Sequence, residues 1–437
     1  MESIWTKTTS KNEKHKELNS NIKTDVLIIG GGMCGILCAY MLQRAGVDYA
    51  LVEANRICQG VTSGTTAKIT LQHGLVYDKL INTYGFDKAK MYLEANQRAM
   101  EKYEELCQEI DCNFEKKDSY VYSTTNREKI EREIEALNRL GVKADFLDTL
   151  PIPLEIAGAV KVKDQAQFNP LKFANEISRD LNIYENTRVT ELMPNKAITE
   201  RGEISCKKII VASHFPILNK HGGYFLKMYQ HRSYGIALKN AQNVNGMYVD
   251  ENEKGLSFRN YEDMLLLIGA GHRTGKKTRG WRELEEFAKE KYPNSQVVSR
   301  WATQDCMSLD SVPYIGRYSN KTEDLYVATG FNKWGMTSSM VSSMILCDLI
   351  QGKKNQHSPV FYPSRSIIHP QLCVNALESI LGLITPTVPR CPHLGCALKY
   401  NKQEHSWDCS CHGSRFDENG KVLNNPANCD KRKIGKK

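Results

Sequence analysis

No run of 18 or more consecutive apolar residues occurs in the 437 residues, so the sequence predicts no membrane-spanning helix. The opening stretch, MESIWTKTTSKNEKHKELNSNIK, lacks the long apolar core of a secretory leader. Both absences lead to the expectation of a cytoplasmic protein without an integral membrane segment. Basic stretches interleaved with aromatics are missing too, so no nucleic-acid partner is expected. Lysines near the two ends (KNEKHK and KRKIGKK) supply much of the net charge of +9 and read as solvated tails.

What is present is ordinary in bulk. Apolar residues make up 41% and charged residues 25%, as in a soluble chain of two or three domains. The 14 cysteines are many. In a reducing compartment they serve as thiols, ligands or catalytic groups. Cys34, Cys38 and Cys347 fall in apolar, helix-like stretches and read as small core residues. Five of the fourteen lie between Cys391 and Cys429, a local enrichment that calls for a reason.

Residues 24–55, TDVLIIGGGMCGILCAYMLQRAGVDYALVEAN, read as strand, glycine turn, helix, strand. Gly30, Gly32 and Gly35 form GxGxxG. The first allows a tight turn, the second lets a pyrophosphate approach the backbone, and the third lets helix and strand pack closely. The phosphates would then meet the positive end of the helix. Glu53 ends the second strand, where an acid can accept hydrogen bonds from a ribose. A polar Gly/Ser/Thr loop follows at 60–74, as if covering a long cofactor. Residues 328–352 hold a second glycine turn, Gly330 and Gly335. It opens a helix whose apolar residues Met336, Met340, Val341, Met344, Ile345 and Leu349 share one face.

GGGMCG, Glu53, SGTTAK (63–68), KKIIVAS (207–213), DSVPYIG (310–316) and GFNKWGMT (330–337) occur in this order, and over residues 24–352 the chain resembles the D-amino-acid oxidase-like flavoproteins, such as glycine oxidase and sarcosine oxidase. The resemblance implies an α/β fold with FAD in a discontinuous Rossmann-like domain and an interleaved α+β substrate domain. The expected FAD parts are 1–75 (with an N-terminal extension), 166–215 and 301–355; the substrate parts are 76–165 and 216–300. It also implies cofactor contacts at Ser63, Thr65, Thr66, Ala67, Val189, Ala212, Met336 and Thr337 beside the glycines and Glu53. Arg259 is the candidate anchor for a substrate carboxylate. Lys68 is placed near the reactive edge of the flavin, with His272 and Trp334 as further site candidates. Cys306 invites a covalent link to flavin, but its spacing to Asp310–Gly316 differs from the family's linkage position, so noncovalent FAD is expected.

At the tail, Cys391-x-His393 is followed after 15 residues by Cys409-x-x-His412. Two thiolates and two imidazoles can hold zinc or a 2Fe-2S cluster, and the spacing alone does not choose. Each ligand pair sits in a loop with its own glycine (Gly395, Gly413) and a further cysteine (Cys396, Cys411). CPHLGC with CSCHGS resembles a Rieske centre of the type whose loops are bridged by a disulfide. Two departures stand out. Phe416 occupies a position where high-potential Rieske proteins carry tyrosine, which implies a lower potential. The all-β domain expected at 389–437, after a linker and helix at 356–388, also looks truncated.

These features lead to an FAD-dependent oxidoreductase that oxidises a small amine or amino acid. Electrons would leave through a Rieske 2Fe-2S cluster to a one-electron acceptor protein or quinone-linked carrier. Two alternatives stay open: an electron-transfer or redox-sensing protein with no small-molecule substrate, and a flavoprotein oxidase with a structural zinc tail.

Overall fold

The computed structural model describes residues 2–10, 13–218, 221–386 and 389–431. Residues 11–12 and 432–437 of the two basic stretches fall outside them. Strands Ile22–Ile29, Tyr49–Val52 and Gly202–Val211 run parallel, with Ile29 level with both Val52 and Val211. Their C-terminal ends are buried, as expected of a parallel sheet covered on both faces. Leu325–Thr329 joins them parallel to Gly202–Val211. The helices Met33–Arg44 and Gly335–Ile350 pack on each other in the core beside this sheet. The second helix is buried more completely than its apolar face predicts. Ser338, Ser339, Ser342 and Ser343 are buried as well, and the hydroxyls of the last three donate to carbonyls one turn back. Cys34 and Cys38 are buried in this core, and Cys347 packs against it.

A second nine-stranded sheet collects the intervening segments. Its order begins Gln296–Ser308, Met228–Lys239, Met264–Arg273, Ser257–Tyr261, Met247–Asp250, Glu115–Ser123. The stretch 77–110, which reads as one helix, is two: Tyr77–Tyr84 and Phe86–Cys107. Gly85 takes φ +83° between them, a conformation that favours glycine. The N-terminal extension is docked rather than free. Helix Ile4–Thr8 buries Trp5 completely, and the indole Nε1 donates to the Thr65 carbonyl at 2.7 Å.

The tail forms a four-stranded antiparallel sheet: Leu398–Asn401, Ser406–Cys409, Arg415–Asp417 and Val422–Asn424. Its own core is small, with Phe416 wholly buried among the cysteines. Support comes from the second large sheet. Every residue of Met228–Lys239 but the last is buried, because the tail covers one face of that strand.

Candidate active site and metal centre

The glycine turn is closed to side chains where the motif requires it. A Cβ on Gly35 would lie 1.9 Å from the Gly30 carbonyl oxygen, and one on Gly30, at φ +112°, would lie 2.6 Å from the Ala212 carbonyl. At Gly32 the nearest atom is Thr62 Oγ1 at 3.5 Å, so this backbone faces open space at the start of Met33–Arg44. That is the cradle a pyrophosphate needs. Glu53 accepts from Gly31 N at 2.8 Å and Asn55 N at 2.9 Å, which fixes its carboxylate beside the turn. Burial pushes this carboxyl up, against the pull of those two amides.

A cavity of about 510 Å³ opens between strands of the second sheet and the segments 65–79 and 332–334. Of the residues expected near a flavin, Thr65, Thr66, Lys68 and Trp334 line it, and Gly30, Gly32, Gly35 and Glu53 do not. Lys68 Nζ donates to Ser257 Oγ and to the Tyr248 carbonyl. Burial, then the nearby Arg259, push its pKa well down. Trp334 stacks on His73 with ring centroids 5.1 Å apart. Burial lowers His73 to about 3, so the imidazole is neutral.

Asp305, Lys333, Glu253 and His73 also line the cavity, and local sequence reasoning missed all four. Burial raises Asp305 to about 6, although Lys333 and Arg232 pull it down. Burial lowers the Lys333 ammonium. Lys333 and Asn332 both take left-handed φ, held by Asn332 side-chain hydrogen bonds to Gly330 and Ser308.

Arg259 and His272 do not line this cavity. Arg259 is 1% exposed. Its guanidinium donates to the carbonyls of Thr66 (2.6 Å), Ala67 (3.0 Å) and Asn260 (3.2 Å) and lies over the Trp5 ring. Ala67 has φ +53°, a strained value for a residue with a Cβ. His272 stacks on Tyr234, on the tail side of the sheet. The other expected contacts lie outside the cavity lining. Ser63 donates to Gln59 and Gly60 carbonyls, Thr337 Oγ1 to the Thr70 carbonyl, and the Met336 carbonyl accepts from Tyr103. Gly335 starts its helix after the Gly330 turn. Cys306 is buried in a core cluster away from the cavity lining.

In the tail, His393 and His412 lie edge to face with centroids 5.0 Å apart. Burial lowers them to about 3 and about 4, so both are neutral, as metal-binding imidazoles must be. Cys391 and Cys409 are buried and hydrogen-bonded to one another. Among the described residues, the one His/Cys/Asp/Glu group whose ligand atoms converge within 4.8 Å is Cys396, Cys409 and Cys411. Cys391, His393, Cys409 and His412 therefore do not close on a single point, as four zinc ligands would. A thiolate pair and an imidazole pair set apart suit two irons, one at each pair. The sulfurs of Cys396 and Cys411, the pair the resemblance would bridge, lie within 4.8 Å of one another. Ser414 Oγ accepts from Ala427 N, tying the second ligand loop to the last segment.

Residues 25–349 match the FAD dependent oxidoreductase family (DAO). The chain belongs to that family. Residues 377–433 match the Rieske [2Fe-2S] domain, so the cofactors of this DAO-family protein are FAD and a 2Fe-2S cluster. It is 33% identical to the Rieske 2Fe-2S iron-sulfur protein YhfW of Bacillus subtilis (strain 168), over 98% of this chain and 96% of that one. It is 25% identical to gamma-glutamylputrescine oxidoreductase of Escherichia coli (strain K12), over 77% and 85%. Glycine oxidase from Geobacillus kaustophilus shares the fold, with TM-score 0.66, 18% identity and coverage of 79% and 99%.

The two sites of this DAO-family oxidoreductase meet across two adjacent strands. On Met228–Lys239 and Gln296–Ser308, Ser233 stands opposite Thr303 and His231 opposite Asp305. Ser233, Thr303 and Asp305 line the cavity. The alternate residues face the tail. Gln230 Nε2 donates to the carbonyls of His412 (2.9 Å) and Asn425 (2.8 Å), and Gln304 Nε2 donates to the Gly413 carbonyl (2.9 Å). Arg273 donates to the carbonyls of Ser410 and Cys411, each at 3.1 Å. Arg232 and Arg415 both bind Glu404. Burial alone would raise that carboxyl, but the two guanidiniums hold it near 2. Asn428 Nδ2 donates to the Val189 carbonyl at 2.8 Å, and Asn425 Nδ2 to Phe215, next to the Ala212 turn.

Proposed function

We propose that this oxidoreductase oxidises a small amine or amino acid and passes the electrons through the Rieske cluster to a one-electron acceptor, a protein or a quinone-linked carrier. The strand pair Met228–Lys239 and Gln296–Ser308 carries the reading, because one face lines the cavity and the other holds the second ligand loop. FAD supplies two-electron oxidation of a carbon–nitrogen bond, and the cluster accepts single electrons. Gly30, Gly32, Gly35 and Glu53 would hold FAD; Cys391, His393, Cys409 and His412 would hold the cluster.

An amine must shed its ammonium proton before it can be oxidised at the adjacent carbon. Asp305, near 6 and on the cavity wall, is placed to take that proton. Lys68 and Lys333 are amino groups on the wall that can donate to a substrate carboxylate or the reduced flavin. Arg259 acts one layer back, holding the Thr66–Ala67 backbone. A charged cavity of this size speaks against a pure electron carrier, and ligand atoms that do not converge speak against structural zinc. The proposed location is the cytoplasm. Anaerobic flavin bleaching against D-amino acids, N-methylated amino acids and gamma-glutamylputrescine tests the reading. Bleaching by one class identifies the substrate, and no bleaching by any would favour the carrier.

A further inference from the structure

The helix Pro370–Ile384 is inside out. Only Asn375 and Gly382 are buried in it. Its polar side faces the protein: Asn375 Oδ1 accepts from Arg273, Asn375 Nδ2 donates to the Leu226 carbonyl, and Glu378 pairs with Lys276. Its apolar side faces out. Val374, Leu377, Leu381 and Ile384 repeat at helical spacing and are 47%, 57%, 45% and 69% exposed, with Ile380 at 55% beside them. Nine of the thirteen exposed large apolar side chains among the described residues lie between Ile367 and Leu394. A patch this concentrated marks an interaction surface.

We propose that this face docks the protein on an anionic lipid bilayer, with the helix lying flat in the headgroup region. Charge is the argument for lipid. Between Ile367 and Arg390 the one acid is Glu378, already neutralised by Lys276. Lys431 Nζ donates to the Arg390 carbonyl, so the last described residue sits beside the end of this helix, and the sequence beyond it reads RKIGKK. An apolar helical face with Arg390 and Lys431 at its end, in a chain whose sequence from 431 to 437 carries five cations, matches an interfacial anchor that meets acidic headgroups. A 15-residue helix is about 22 Å long, too short to cross a bilayer core but long enough to lie in its surface.

Docking would carry the first ligand loop with it. Arg390 donates to the carbonyls of Gly382 and Leu383, and Ala397 N donates to the Gly382 carbonyl at 2.9 Å. Leu394, between His393 and Gly395, is 40% exposed, and Leu383 of the helix lies 3.9 Å from where a Cβ on Gly395 would stand. The bilayer would thus lie against the loop that carries Cys391 and His393.

Co-sedimentation of the full-length holoprotein with phosphatidylcholine vesicles, with and without phosphatidylglycerol, tests this. The expected result is binding to the phosphatidylglycerol vesicles that weakens in high salt. L377E with L381E should lower it by about tenfold or more, and R432Q with K433Q by less, both with the flavin spectrum unchanged. I384E alone, at the most exposed position of the helix, repeats the test if the double variant misfolds. Absent binding, or binding that neither L377E/L381E nor I384E alters, overturns the proposal. So does a dimer that these variants split without any lipid binding, because a second copy would then cover the face.

Discussion

Asp305 and Gln304 are consecutive on one strand and face opposite ways: Asp305 lines the cavity, while Gln304 donates to the Gly413 carbonyl in the ligand loop of the tail. Gln296–Ser308, with its neighbour Met228–Lys239, thus stands between the cavity and the tail, and several expectations follow from how the tail is held.

Glu404→Ala should release the tail. It removes the shared acceptor of Arg232 and Arg415 and leaves two guanidiniums, 6% and 5% exposed, without it. Breaking such a buried network costs about 3–5 kcal/mol. Hydrogen exchange in residues 389–431 should rise sharply while the glycine-turn region stays protected. Equal protection in both proteins would show that the salt bridge does not hold the tail. The wild-type contact should be complete above the ordinary glutamate pKa and weaken only as pH falls toward 2, because Glu404 is depressed in the folded state.

Asp305→Asn should trade activity for stability. The carboxyl of Asp305 titrates near 6, above an unfolded aspartate. Its ionised form therefore opposes folding, by about 2–3 kcal/mol once pH exceeds 6 and by nothing below the unfolded pKa. The variant should melt higher at pH 8, melt unchanged at pH 3, and lose flavin reduction at all pH values. In the wild type, flavin reduction should fall as pH drops through 6. A pH profile flat from 5 to 8 would remove Asp305 from proton transfer.

Arg259→Ala should weaken FAD retention more than it changes the response to substrate concentration. Its donors hold the carbonyls of Thr66 and strained Ala67 and do not reach the cavity. Arg259→Lys should recover part of the loss, since an ammonium can serve one carbonyl but not the fork. A variant that keeps its flavin and shows only a raised KM would return Arg259 to the substrate.

Gly382→Ala should disturb the cluster without touching a ligand. The new Cβ would lie 2.4 Å from Cys411 Sγ and 3.4 Å from Cys396 Cβ. Iron and acid-labile sulfide per chain should fall while FAD content holds. Full cluster content would mean that the loop shifts at little cost.

Local chemistry was legible and assembly was not. Gly30, Gly32, Gly35 and Glu53 could be read because one strand–turn–helix unit sets their spacing, and the tail ligands because two short loops set theirs. Asp305, Lys333 and His73 could not, since they reach one cavity from three segments far apart in the chain. Arg259 was legible as a strand arginine but not in its direction, away from the cavity and over the Trp5 ring from the far N-terminus. The stripe on Pro370–Ile384 was periodic in the sequence. Periodicity gives a face but not what the face meets, and the usual inward assignment is reversed here by Asn375 and Glu378.

The most direct test of the central claim is anaerobic rapid mixing of the holoprotein with a substrate that bleaches its flavin, following flavin absorbance and the cluster signal together. The account predicts that the cluster becomes reduced after the flavin and within one turnover, and that Gln304→Leu, which cuts the loop from the partition strand, slows that second phase while leaving the first unchanged. A flavin that bleaches while an intact cluster stays oxidised for many turnovers would contradict it.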